Sequence, residues 1–190
     1  MSVTWADLSS LSACSQLSSL ELNSCQVQAA GPDSITSPLS AVRSLTQLSV
    51  IDAPTSIAAS LTQLTGLSVV SDRETVGECL GHIKRLTQLQ KLELDSTDCE
   101  ITAGQVVSIL TSLKQLTSLA LYYLIHQKAF DALLTHAPQL TSFTCDALFL
   151  KQGRSACPCS WKELIVGSFQ DAHTLAWLPT DSLTRLGLRI

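Results

Sequence analysis

The sequence predicts an α/β solenoid of about eight right-handed coils. A parallel β-sheet forms its concave face, and helices or loops form its convex face. Three observations predict this. The letters Leu-Thr-Gln-Leu occur at Leu45–Leu48, Leu61–Leu64 and Leu86–Leu89, with variants opening at Leu116, Leu140 and Leu183. Apolar residues spaced three and then two apart recur down the chain at a period of roughly 20–30 residues, the signature of a stacked-repeat fold. Period-two runs such as Leu20-Glu21-Leu22, Leu92-Glu93-Leu94 and Leu119-Ala120-Leu121 read as short strands between these marks.

Each coil fits the template L-x-x-L-x-L-x-x-(N/C)-x-L. The first runs Leu17, Leu20, Leu22, Cys25 and Val27, and later ones open at Leu45, Leu64, Leu89, Leu116, Leu140, Trp161 and Leu183. The phase of the second is open, because Val50 and Ile51 could exchange faces. On these residues the chain resembles the leucine-rich repeat proteins over nearly its whole length. The repeat ending in Cys25, and the run Cys99 to Gly104 after the fourth strand, resemble the cysteine-containing subtype.

The returns between strands differ from one another. Val106, Ile109, Leu110 and Leu113 form one helical face, with Thr102 placed to cap it. Val76, Leu80, Ile83 and Leu86 form a second face. Phe130, Leu133, Leu134 and Ala137 form a third, stopped by Pro138. Ser37-Pro38 predicts a helix start running through Val42. Residues 52–60, holding Pro54, and 151–160, holding Gly153 and Pro158, predict loops or single 3₁₀ turns. A strand, a helix and a parallel strand in series wind right-handed.

Regular repeats of this kind place Asn at the ninth template position. The single Asn, Asn23, is elsewhere; the ninth residues are Cys25, Ala53, Asp72, Thr97, Leu124, Leu148 and Phe169. Leu and Phe cannot replace an amide's hydrogen bonds, so the second half is expected to be less regular. At the N-terminus, Trp5, Leu8, Leu11 and Cys14 could cover the first coil. Nothing follows the eighth strand, so residues 1–190 are expected to form one domain within a longer array, with an uncovered last strand. Removing the missing part should lower solubility. Sedimentation showing a well-behaved monomer would count against that expectation.

Composition narrows the function. The chain is 45% hydrophobic and 15% charged, below the typical ~25%. Its net charge of −4 and lack of a Lys/Arg cluster argue against nucleic acid. No basic-then-apolar leader and no run long enough to span a bilayer is visible. Seven cysteines, an odd number set mostly within apolar patterns, fit reduced thiols and an intracellular, cytoplasmic location.

No chemistry stands out. Cys157-Pro158-Cys159 lacks the second knuckle a structural zinc site needs. His82, His126, His136 and His173 have no nucleophile context. Glu93, Asp95 and Asp98 read as solvated surface. The expectation is therefore no catalytic residues, cofactor, metal or small-molecule substrate, and a chain that is not an enzyme.

The outward residues of the strands are the better candidates. Eight strands make a face roughly 33 Å long, with about as many outward positions as one side of a standard protein interface. The candidate partner-binding residues are Glu21, Asn23, Glu93, Asp95, Tyr122, Tyr123, Asp146 and Arg185, with the tyrosines as possible hot spots. The reading is a protein–protein interaction scaffold. The family resemblance suggests two alternatives, the substrate-receptor part of an F-box-type ubiquitin-ligase adaptor and a regulator of a small GTPase. A receptor fragment from outside the cell would instead show paired cysteines.

Overall fold

The computed structural model describes residues 2–4, 8, 10–24, 26–28, 38–71, 76–95, 101–151, 160–169, 178 and 182–188. Two short strands, β1 (Ser2–Thr4) and β3 (Gln26–Gln28), pair in parallel as a sheet of their own. The sequence pattern did not predict either. They bring the N-terminal segment alongside the exit of the first repeat, and Leu8 is buried there. Trp5 and Cys25 lie outside the described residues.

The main sheet contains β2 (Ser19–Asn23), β4 (Gln47–Ile51), β5 (Gly66–Val70), β6 (Lys91–Asp95), β7 (Ser118–His126), β8 (Ser142–Phe149), β9 (Glu163–Phe169) and β10 (Arg185–Leu188). Its order is β10-β9-β8-β7-β6-β5-β4-β2, and every neighbouring pair is parallel. These are the eight strands the repeats predict, stacked in chain order.

Five successive strands, β4 to β8, are entered through the same turn. The N–H groups of Leu45, Leu64, Leu89, Leu116 and Leu140 donate to the carbonyls of Val42, Leu61, Leu86, Leu113 and Ala137, three residues earlier. Both ends of each turn are buried. Leu61–Leu64 and Leu86–Leu89 are therefore turns, whereas Leu45–Leu48 runs from the end of a turn into β4.

The residue after the turn carries a second ladder. The carbonyl of Thr46 accepts from the N–H groups of both Thr65 (2.9 Å) and Gly66 (3.0 Å) of the next repeat. The carbonyls of Ser18, Thr65, Gln90, Thr117, Thr141 and Lys162 each accept two N–H groups in the same way. Where the incoming residue is threonine, its hydroxyl joins in. Thr46, Thr65, Thr117, Thr141 and Thr184 each donate Oγ1 to that carbonyl at 2.9–3.3 Å.

Within the sheet, parallel register aligns the fourth template residues into one apolar layer: Leu48, Leu67, Leu92, Leu119, Phe143 and Leu164. Val50, Val69, Leu94, Leu121, Cys145 and Val166 make the next layer. All are buried. The open phase of the second repeat is thus resolved, with Val50 inside and Ile51 outside. The last members, Leu186 and Leu188 on β10, are 48% and 57% exposed, because no further described strand covers them.

The returns follow the sequence pattern with one exception. Helices α1 (Val76–Ile83), α2 (Ala103–Ser112) and α3 (Gln127–His136) bury the predicted faces. Thr102 caps α2 in a capping box with Gln105. Residues 55–58 form the expected 3₁₀ turn. After Pro38, however, the chain makes only a 3₁₀ turn, Pro38–Ala41, in place of the predicted helix. Leu39 and Val42 are already buried there, and the strand-entry turn begins at Val42, so no length remains for a second helical turn. Ser37 and residues 152–159, where a loop is expected, lie outside the described residues.

The hydroxyl ladder gives a direct test. Thr117→Val keeps the shape and removes one hydrogen bond, so urea unfolding should show a loss of about 1 kcal/mol. Thr87→Val, an exposed turn threonine in the same four-letter phrase, should change stability by less than about 0.5 kcal/mol. Equal effects would show that the hydroxyl adds nothing to the ladder.

Candidate functional site

Because successive strand residues alternate faces, the residues between the buried leucines form rows across the concave face. The middle row runs Glu21, Ser49, Ser68, Glu93, Ala120, Thr144, Ile165 and Gly187 in register. Serine and glycine fall at its left and at the adjoining Gly66, and this leaves room. A depression of about 160 Å³ opens there, lined by Ser19, Gln47, Ser49, Ser68, Lys91 and Glu93 over Leu48 and Leu67. Gln47 lies across Gly66 and donates Nε2 to Thr65 Oγ1 at 3.1 Å. A β-carbon at residue 66 would fall on that amide.

Further along the sheet the register breaks. Leu121 pairs with Cys145, but the next aligned pair is Leu124 with Ala147, so β7 carries one extra residue opposite Asp146. Such a bulge re-aims side chains. Tyr122 stays on the concave face, half-buried. Tyr123 does not, which corrects its assignment as a partner-binding residue. It is 5% exposed and points into the core with Leu119, Leu121 and Ile125. There it borders a small internal space with Val69, Ser71, Val76, Cys79, Leu94 and Asp95. In the unbroken alternation of β7, Leu124 at the ninth template position is half-buried, between the buried Tyr123 and Ile125.

The other predicted residues divide into groups. Glu93, Asp95, Tyr122 and Asp146 come together on β6, β7 and β8; Asp146 is exposed and the other three are half-buried. Glu21 and Asn23 are exposed on β2, three strands from β6 and so roughly 14 Å away. Arg185 is engaged within the sheet, donating to Glu163 Oε1 at 2.7 Å while Ser142 donates to Glu163 Oε2 at 2.9 Å. Gln47, Ser49, Ser68 and Lys91 also fall at outward positions of the repeat template, but sequence reasoning did not select them as partner-binding residues. Their signal was present, since Ser49, Gly66 and Ser68 are small residues at adjacent outward positions.

Among the described residues no group of three or more His, Cys, Asp or Glu could hold a metal. Cys145 is buried, and burial together with the neighbouring Asp146 pushes its thiol well above the usual range, so it is a poor nucleophile. Cys157, Cys159, His173, Asp98 and Arg189 lie outside the described residues. No helix among the described residues is long and apolar enough to cross a membrane.

The stacked parallel strands and apolar layers settle the architecture. The fold is a leucine-rich repeat solenoid. No protein-family model matches the chain, and no curated protein matches it by sequence. Solved structures do. One is a crystal structure of internalin C2 from Listeria monocytogenes, matched at a TM-score of 0.57 and 17% identity over 98% of this chain and 76% of that one. At that identity the likeness concerns the fold.

Two glycines of this face should respond differently to substitution. A β-carbon at Gly167 would meet the Asp146 backbone carbonyl, which cannot move without breaking the sheet. One at Gly66 would meet only the end of the flexible Gln47 side chain. Gly167→Ala should therefore lower the melting temperature by several degrees, and Gly66→Ala by little. The reverse order would refute this account of the two contacts.

Proposed function

We propose that the protein is a protein–protein interaction scaffold that binds its partner on the concave face. The observation that carries this reading is the face itself. Its strands hold one regular frame while their outward residues differ from repeat to repeat around an open depression. A frame of this kind presents a distinctive surface without needing a reactive group. Glu93, Asp95, Tyr122 and Asp146 form one contact region beside the depression, and Glu21 and Asn23 form an outlying one. Tyr122 is the proposed anchor, because a half-buried tyrosine is already ordered and loses little freedom on binding. Binding, and not catalysis, is the proposed role. The odd number of cysteines, seven, supports a reducing, intracellular setting for it.

A photo-crosslinking residue placed at Ser68 on the concave face, and separately at exposed Thr111 on α2, tests the reading in cells that make the protein. A specific adduct should form from position 68 and not from 111. The double variant Glu93→Ala/Tyr122→Ala should then lower recovery of that partner at least tenfold. Adducts from position 111 alone, or full recovery by the double variant, would place the binding surface elsewhere.

A further inference from the structure

The charges of this molecule are sorted by surface. Among the described residues, the strands of the main sheet carry five carboxylates, Glu21, Glu93, Asp95, Asp146 and Glu163, against two cations, Lys91 and Arg185. Arg185 and Glu163 neutralise each other. Outside those strands the sequence is nearly balanced, with ten Lys and Arg against eleven Asp and Glu. Three of the chain's four net negative charges therefore fall on the strands of the sheet. The distribution favours a positively charged occupant on the face.

We infer that the concave face takes an extended, basic peptide segment of its partner, a conclusion that rests on the concave-face reading above. The depression would receive one Lys or Arg side chain. Glu93 supplies the carboxylate, and the Ser49 and Ser68 hydroxyls supply further acceptors at its floor. Lys91, on the same rim, offers a donor to a carbonyl of the peptide. Asp146 lies two strands from Glu93 and further along the sheet, roughly 12 Å away by strand geometry. That matches residues i and i+4 of an extended chain, about 13 Å apart and on one side of it. The peptide would cross the strands with Tyr122 packed beneath it between the two cations. A nucleic acid would be repelled by the same face.

Fluorescence anisotropy with three labelled twelve-residue peptides tests this. They alternate serine with arginine, with glutamine or with glutamate. The arginine peptide should bind, more weakly at 0.5 M than at 0.1 M salt. Glu93→Gln/Asp95→Asn/Asp146→Asn should weaken it at least tenfold, and so should Ser68→Leu, which fills the depression. Glu78→Gln/Asp131→Asn, off the face, should change it less than twofold. Circular dichroism would confirm that each variant is folded. Binding of the glutamine or glutamate peptide alone, abolished by Ser68→Leu, would overturn the basic-partner inference while leaving concave-face binding intact. Arginine-peptide binding equally sensitive to on-face and off-face variants, or no peptide binding at all, would also overturn it. The crosslink at position 68 reports separately on the concave-face reading.

Discussion

One backbone carbonyl per repeat holds this solenoid in register. It belongs to the second template residue, and it accepts two N–H groups from the next repeat at once. Those donors are consecutive residues, so the incoming chain has to arrive at one height and one angle. In five of the repeats a threonine hydroxyl joins them. A carbonyl oxygen has two lone pairs to satisfy, and three weak partners meet that need with some redundancy. This explains why the pair Leu-Thr opens Leu45, Leu64, Leu116, Leu140 and Leu183. The leucine enters the core, and the threonine, one residue later and turned outward, bonds to the neighbouring repeat. Similar repeats use asparagine at the far end of the strand for that purpose; this chain has shifted the task to the near end.

With the strand entrances fixed, the returns are free to vary. A 3₁₀ turn suffices between β4 and β5, whereas a ten-residue helix spans β6 to β7. Each needs only to deliver a buried residue to the entry turn: Val42, Leu61, Leu86, Leu113 or Ala137. Positive backbone angles at Ser24 and Asp52 then release the chain from β2 and β4 at matching heights, with φ of 48° and 50°. Ser24 and Asp52 donate their N–H groups to the neighbouring repeats' Ile51 and Val70. The concave face inherits this regularity, so a single outward side chain can change without disturbing the frame behind it.

The frame was legible in the sequence because it is built from repetition. The Leu spacing predicted eight strands, their order and the three helices, and Thr102 with Gln105 marked the start of α2. The site was less legible, because its shape comes from departures. β7 alternates without a break, so counting by twos from Leu119 and Leu121 puts Tyr123 inside; the repeat template, whose apolar alternation ends at Leu121, left both tyrosines on the surface. The depression arises where Ser49 and Ser68 lie side by side next to Glu93, which requires knowing the register of three strands. The pair β1 and β3 is three residues long on each side, too short to show a period.

The register shift past β6 and the change in core chemistry fall in the same part of the sheet, where β7 and β8 run on as strands of nine and eight residues. Larger side chains enter the core there. Trp161 and Phe143 occupy first and fourth template positions that hold leucine in earlier repeats. Trp161 packs against Phe143 at 5.2 Å between ring centres and edge-on to Phe130 of α3 at 5.7 Å. All three are buried. A ring cannot fit the aliphatic layers between β4 and β6 without overpacking, and leucine at 143 or 161 would leave a void where the strands are long. The aromatic part of the core and the bulge that sets Tyr122 beside Asp146 thus fall in the same stretch of long strands.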